Sequence, residues 1–325
     1  MAGAPVGGAE LFFERLVTAQ AASGTAVLPV IRRNAARAMR LAPVRSAQLG
    51  FGGPMDVLTP WRLRQALRKF SPDVVIGWMN RAAAACPPGP WVLAGRLGGY
   101  YDLKYYRRCQ HLIGNTAGIV DWIVGQGWDA ARVHYLPNFA PDLAGVAPAA
   151  LPVPAGAPVI LAMGRLHRNK AFDVLIRAMA MLPDAHAVIA GEGPERPELA
   201  ELAQRLGVGG RIHLIGWRQD QAALLAASNV LVCPSRHEPL GNVVIEAWSA
   251  GRPVVAANAD GPMELIRPGQ DGLLVPREDA SALADALRAA LRPNGLGMAG
   301  RARYLAEFAP APVLAQWTAT LGRMR

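Results

Sequence analysis

Two glutamates, Glu238 and Glu246, lie eight positions apart in the otherwise apolar stretch "PSRHEPLGNVVIEAWSAG" at residues 234–251. The flanking runs "NVLVCPS" and "RPVVAAN" are apolar and β-branched, so the stretch reads as the loop and helix of a βαβ unit. The helix is expected to begin near Gly241 or Asn242 and to end at Gly251, a glycine in the C′ position. Glu238 then sits at the helix mouth and Glu246 about one turn inside. The N–H groups of Leu240, Gly241 and Asn242 at such a terminus make a partly positive site for phosphate or sugar oxygens. A carboxylate beside it accepts hydrogen bonds from hydroxyls, as a ribose or hexose offers. The alternative is a helix-start charge at Glu238 and a solvated helical residue at Glu246.

Other groups could serve the same chemistry. "GRLHRNK" follows the strand-like "VILAMG", so Arg165 and Lys170 rise from a strand-end loop where two cations can neutralise a diphosphate. Taken singly they are ordinary surface cations. Gly7 and Gly8 precede a helix start, where a glycine lets the backbone approach a phosphate closely. Cys86, Cys109 and Cys233 are scattered, with no paired metal-ligand spacing. They read as buried small apolar residues of a reducing compartment.

These residues need elements to hold them. "VGGAELFFERLVTAQAASG" has helical apolar spacing after a double glycine, followed by "TAVLPVI" as a strand and "RRNAARAMRLA" as a helix. "SPDVVIGWMN", "GPWVLAGR", "RCQHLIGN" and "ARVHYLPN" are further short apolar runs, and "NTAGIVDWIVGQG" reads as a helix closed by glycine. The Pro- and Ala-rich tract "FAPDLAGVAPAALPVPAGAP" has no sustained periodicity and reads as a linker. The domain boundary is placed within 139–157, giving domains at 1–150 and 151–325. Beyond it, strands "VILAMG", "HAVIAG", "RIHLIG" and "VLVCPS" each lead into a helical segment. Such alternation implies a parallel sheet covered on both faces, with ligands at the carboxyl ends of the strands.

At 325 residues, with 52% hydrophobic content and a mean hydropathy of +0.16, the chain can bury sizeable cores and splits most naturally into two domains. No apolar stretch reaches the roughly 18 residues of a spanning helix. No signal sequence opens the chain, so a soluble or membrane-peripheral protein is expected. Residues 1–150 carry 16 Lys plus Arg against 8 Asp plus Glu, a net of +8 out of the chain's +10. Such a field attracts nucleic acid, anionic lipid or a phosphorylated acceptor, or is a merely solvated basic surface. Arg33, Arg37 and Arg40 of "IRRNAARAMR" are expected to share a helical face. With Arg32 they form a cluster that could dock on the anionic inner leaflet.

The segments "EPLGNVVIE", "GRL…K", "GEGPE", "AGRPVVAANADGPMELI" and "DGLLVP" together resemble the donor domain of glycosyltransferase family 4, over roughly residues 158–291. "GGAE" and "YLPN" extend the likeness more loosely into the first half. The resemblance implies an α/β fold of GT-B type, with two Rossmann-like domains whose parallel sheets face across a cleft and a last helix that returns to the first domain. It implies retaining transfer of a hexose-type sugar from a nucleotide diphosphate to a glycan or lipid-linked acceptor, in polysaccharide or lipopolysaccharide synthesis, with no cofactor and no essential metal. Carried over by residue, Arg165 and Lys170 would hold the diphosphate, Glu246 the ribose hydroxyls and Glu238 the transferred sugar. Leu240, Gly241 and Asn242 would line the donor site, and Gly8 would approach the phosphates. Trp217 falls where the nucleotide base lies, or is a core or lid tryptophan.

The chain also departs from the family. Ala171 stands where glycine often follows the lysine. Arg96 stands, on the acceptor side, where the family commonly has a histidine, and His111 reads as structural. The first-domain sheet normally starts with a strand before the glycine loop. Only "MAGAPV" precedes Gly7, so that strand is expected to be missing or to come from upstream residues. A dinucleotide-dependent enzyme would show G-x-G-x-x-G after its first strand, and none is found. A nucleic-acid binder is suggested by the pI of about 10.2, but there is no aromatic-rich basic module. A nucleotide-sugar epimerase or a non-catalytic nucleotide-binding protein on the same fold is the alternative reading. The expected place of work is the cytoplasm, with visits to the inner face of a membrane.

Overall fold

The computed structural model describes residues 1, 3, 7–52 and 56–324. The chain divides into two units, Met1–Phe139 with Pro310–Arg325, and Ala140–Ala309. The division falls at the head of the 139–157 tract, eleven residues before position 150. The C-terminal helix Pro310–Arg323 belongs to the first unit, where Val313 and Trp317 are buried in one cluster with Phe12 and Leu16 of the helix Gly8–Ala22.

In the first unit, β1 (Val30–Arg32) pairs in parallel with β2 (Ala47–Leu49). A separate parallel sheet runs in chain order through β3 (Val74–Trp78), β4 (Val92–Leu97), β5 (His111–Gly114) and β6 (Val133–Tyr135). β1 is shorter than "TAVLPVI" promised, because Pro29 has no N–H to donate to a ladder. An apolar cavity of about 290 Å³ lies against Val30 of β1 and Val74–Ile76 of β3, with Phe13 and Leu16 in its wall. The strand expected ahead of Gly7 falls on residues 2 and 4–6, outside the described residues. Met1 itself donates from its amine to the Val30 carbonyl at 2.7 Å and accepts from the Arg32 N–H at 3.0 Å.

The expected basic helical face is corrected by the structure. The helix is Ala35–Arg40, capped by the Asn34 side chain, which accepts from the Arg37 N–H at 2.9 Å. Arg32 lies on β1 and Arg33 precedes the helix, so Arg33 does not share a helical face with Arg37 and Arg40. Arg37 is 1% exposed, and its guanidinium and that of Arg40 both bond the Glu14 carboxylate, at 2.9 and 2.6 Å. Burial works against charge on Glu14, but the hydrogen bonds from Arg40 and Arg37 outweigh it and hold its pKa below the usual glutamate range. Two of the four arginines are therefore committed within the unit.

The second unit holds one six-stranded parallel sheet in the order β12-β11-β10-β7-β8-β9. Its strands are β7 (Val159–Met163), β8 (His186–Ala190), β9 (Ile212–Leu214), β10 (Val230–Cys233), β11 (Val254–Ala257) and β12 (Leu273–Val275). Alternate residues of the continuous apolar runs feed two cores. Ile160, Ala162, Val230 and Val232 enter one, and Val159, Leu161, Met163, Leu231 and Cys233 the other. A sheet covered on both faces selects such uniformly apolar strands. The sequence direction of connection reverses between β7 and β10, the switch point at which doubly wound sheets bind ligands. The tract between β6 and β7 forms no helix or strand. It is nonetheless strapped to the second unit, with Leu143, Leu151 and Val153 packed on the core and the Ala149 N–H bonded to the Ala223 carbonyl at 2.9 Å.

Candidate active site

The loops leaving β7 and β10 bring Lys170 and Glu238 together. After β7, the chain passes Gly164 and makes a 3₁₀ turn, Arg168–Lys170, in which the His167 side chain accepts from the Asn169 N–H at 3.3 Å. Gly164, at φ +148°, leaves room for the lysine stem, since a Cβ there would approach Lys170 Cε to 3.3 Å. The Lys170 ammonium donates to Glu238 Oε2. The buried Ser235 hydroxyl donates to the same oxygen at 3.4 Å. Burial alone would depress the lysine pKa, but the Glu238 carboxylate raises it above the usual range. Cys233, at the end of β10, is held as a thiol because burial pushes its pKa up to about 11.

Arg165 comes from the same loop as Lys170 but is exposed and makes no ion pair among the described residues. Ala171 occupies the left-handed region at φ +53° and ψ +38°, with its methyl fully buried. That conformation favours glycine and costs other residues about 1–2 kcal/mol. The helix Phe172–Met179 still starts directly after it.

On the other side of the switch point, the helix is Asn242–Ser249, with Gly241 before it at φ +90° and Gly251 after it at φ +68°. Gly241 needs its lack of side chain for that turn. The first-turn N–H groups are those every helix leaves without intrahelical partners. Leu240 is buried and touches Gly261, where a Cβ would come within 2.3 Å of the Leu240 carbonyl oxygen. The Gly261 N–H donates to the Glu238 carbonyl at 2.9 Å, which fixes the main chain at the glutamate. Glu246 is 6% exposed, so it is not the solvated helical residue of the alternative reading.

The glycines of "GEGPE" form a backbone crossing that the sequence alone does not assign. A Cβ on Gly191 would fall 1.8 Å from the Gly164 carbonyl oxygen, and one on Gly193 2.2 Å from that of Leu166. Main-chain hydrogen bonds from Leu166 to Glu192 (2.9 Å) and from Glu195 to Leu166 (3.2 Å) lock this crossing. The spacing of two glycines around one acid was the available signal. Trp217 lies beyond β9 and is 60% exposed, which removes the core alternative.

In the first unit, Gly8 opens its helix and is exposed. The Glu10 carboxylate stands at that terminus, 2.4 Å from where a Cβ on Gly7 would be. Arg96 lies within β4 and is 1% exposed. Its guanidinium donates to Asn138 Oδ1 and stacks 4.4 Å from the Trp78 ring centroid and 5.0 Å from that of Phe12. Burial lowers its pKa to about 9, and its Nε has no partner among the described residues. Among the described residues no three His, Cys, Asp or Glu side chains gather as metal ligands.

A six-stranded doubly wound sheet with a lysine, two glutamates and a helix N-terminus at its switch point defines a Rossmann-like unit of the kind that binds phosphorylated ligands. Residues 157–292 match the family described as glycosyl transferases group 1. The chain is 37% identical over 298 residues to the lipopolysaccharide core biosynthesis glycosyltransferase LpsE of Rhizobium meliloti, covering 89% of this chain and 87% of that one. It is 34% identical over 289 residues to the corresponding LpsD of the same organism, covering 87% and 84%. The fold matches that of the Anabaena protein HepE in complex with UDP, with a TM-score of 0.84 at 20% identity, covering 99% of this chain and 98% of that one. The chain belongs to the glycosyl transferases group 1 family and has the GT-B fold.

Proposed function

We propose that this glycosyltransferase moves a hexose-type sugar, with retention of configuration as in glycosyltransferase family 4, from a nucleotide diphosphate to an acceptor of the lipopolysaccharide core. The Lys170–Glu238 pair at the switch point is the observation that carries the reading. It sets a cation for the diphosphate beside a carboxylate for the sugar. Departure of the nucleotide concentrates negative charge on the diphosphate. Lys170, Arg165 and the helix terminus at Gly241–Asn242 meet it with positive charge already in place, which lowers the barrier more than it strengthens ground-state binding. Glu246 accepts the ribose hydroxyls and Trp217 covers the base, while Gly8, at an exposed helix start, suits a phosphate; Arg96 is buried on Asn138 and two aromatic rings and takes no acceptor role. Glu238 orients the sugar without becoming a covalent nucleophile, since the acceptor attacks from the face that the nucleotide leaves. Two relatives named for lipopolysaccharide core biosynthesis support the acceptor class.

No metal is required in this reading, because side-chain cations neutralise the diphosphate. The test is to incubate the protein with UDP-, GDP-, ADP- and dTDP-sugars and a truncated core oligosaccharide, with and without EDTA. The expected result is a glycan heavier by one hexose and equal rates with the chelator. Loss of activity in EDTA with rescue by a divalent ion would remove the metal-free mechanism.

We further propose work at the cytoplasmic face of a membrane. No helix among the described residues is long and apolar enough to cross one. With Arg37 and Arg40 committed to Glu14, the helix Leu58–Phe70 is the better docking element. It exposes Leu58 and Trp61 together with Arg62, Arg64, Arg68 and Lys69, and contains no acidic residue. Each cation near an anionic leaflet contributes about 1 kcal/mol. Flotation with anionic liposomes at low salt should recover the protein, and replacing these four cations with glutamine should abolish recovery. Equal recovery with neutral lipid would exclude this docking.

A further inference from the structure

Arg236 makes five side-chain hydrogen bonds, yet it lies outside the set proposed above to touch the donor. Its guanidinium bonds Asp173 in a fork, Nη1 to Oδ1 at 2.8 Å and Nη2 to Oδ2 at 2.7 Å. It also bonds both oxygens of Glu278, with Nη2 to Oε2 at 2.9 Å. A further bond runs from Nη1 to the Arg168 carbonyl at 2.8 Å. The main chain adds two more, from the N–H groups of Arg236 (2.9 Å) and His237 (3.3 Å) to the Asn169 carbonyl. Arg277 closes the set by donating to the Arg236 carbonyl at 3.3 Å. Glu278 is held at φ +65°, a conformation that favours glycine, while it reaches this arginine.

Three strand-end segments meet at one side chain: the turn after β7, the loop after β10 and the residues after β12. The anchored carbonyls, Arg168 and Asn169, are the two residues before Lys170, and Arg236 is two residues before Glu238. The spacing of the Lys170 ammonium and the Glu238 carboxylate is thus bracketed on both loops. Lysine is a point charge on a flexible stem and does not fix its own position. A planar fork bonded to two carboxylates does. Arg236 is at the rim of the unit, outside both of its hydrophobic cores.

We infer that Arg236 is a positioning residue that latches the Lys170 turn to the Glu238 loop and so sets the geometry of the reacting pair. This rests on the transfer reading above for its kinetic consequence, though not for its geometry. A displacement of about 1 Å in such a group is worth about 10²-fold in rate, so Arg236→Gln should lower kcat by about 30- to 100-fold while donor KM changes by less than about fivefold. Arg236→Lys, which keeps the charge and loses the fork, should recover only part of the rate. Asp173→Asn, which opens the same latch from the other side, should repeat the pattern. The double-mutant cycle separates this from a loss of fold. In a Lys170→Met background Arg236→Gln should cost less than about threefold, because the group it positions is gone.

The chain has three lysines, Lys69, Lys104 and Lys170, so lysine side-chain NMR reads the pair directly without turnover. In the native protein Lys170 should titrate above the usual value of about 10.5, and Arg236→Gln should bring it down toward that value while Lys104 stays unchanged. An unaltered Lys170 titration, or equal kinetic losses in the native and Lys170→Met backgrounds, would overturn the latch. If the native protein transfers no sugar at all, the transfer reading fails and the NMR titration alone decides the latch.

Discussion

The strand-end charges Lys170 and Glu238 of the second unit are arranged toward one another at a switch point, whereas Glu14, Arg37, Arg40 and Arg96 of the first unit are absorbed by their own fold. Lys170 and Glu238 come from loops on different strands and meet at the mouth of the helix Asn242–Ser249. In the first unit Glu14 takes up Arg37 and Arg40, and Arg96 is spent on Asn138 and two aromatic rings. The second unit has one continuous sheet, while the first has two sheets and an apolar cavity against β1 and β3. Similar counts of charge therefore mean different things. A net of +8 over residues 1–150 is in part internal wiring, and the smaller excess beyond it includes the groups proposed to act on the donor.

The contrast is sharpest where a charge is removed. Glu14→Leu leaves Arg37 buried without its carboxylate, and breaking a buried pair costs about 3–5 kcal/mol. Urea unfolding should show a loss of that order, and a loss as small as that of a surface substitution would deny the structural role of the pair. In the second unit the same kind of change should spare stability and cost rate. Lys170→Met and Arg165→Ala are each expected to depress turnover by about 10²-fold, since they act on charge that grows in the transition state. A loss confined to donor KM would mean that they bind ground state and transition state alike.

Much of the second unit was legible because its signals are redundant. Continuous β-branched runs and helices started and stopped by glycine agree on strands β7–β11, and the spacing of Glu238 and Glu246 places one before and one inside the helix after β10. The first unit lacks that redundancy. Pro29 cuts β1 short, and nothing in "IRRNAARAMR" reveals that Arg37 turns inward, because its partner Glu14 is 23 residues away on another helix. Arg236 was equally hidden. Its partners Asp173 and Glu278 lie 63 and 42 positions away, and only the parallel order of the sheet brings them together. The glycines at 191 and 193 were visible as residues but not as a backbone crossing, which becomes evident only when the β7 and β8 loops are in contact.

A smaller effect should be shared by both units. Each has a histidine pair on neighbouring strands, His111 Nδ1 to His134 Nε2 at 2.9 Å and His186 Nδ1 to His213 Nε2 at 3.0 Å. Burial lowers the pKa of His111, His134 and His213, with the partner ring adding to it for His134 and His213. A folded-state pKa below the unfolded value of about 6.5 means that the stabilising neutral form is fully present above that pH. Its contribution is lost as pH falls through the folded-state values. The urea midpoint should therefore decline modestly from pH 7.5 to 5.5, and His134→Gln should flatten the slope. A midpoint that rises on acidification would reverse the assigned sign.

Calorimetric titration of the native protein and Glu246→Ala with UDP-, GDP-, ADP- and dTDP-sugars shows whether the second unit holds a nucleotide sugar through its carboxylates and cations. One donor class should bind the native protein. Glu246→Ala should weaken that binding by about 1.5–3 kcal/mol, the worth of a charged hydrogen bond. Equal affinity in the two proteins, or no binding of any nucleotide sugar to the native one, would contradict donor binding through these groups.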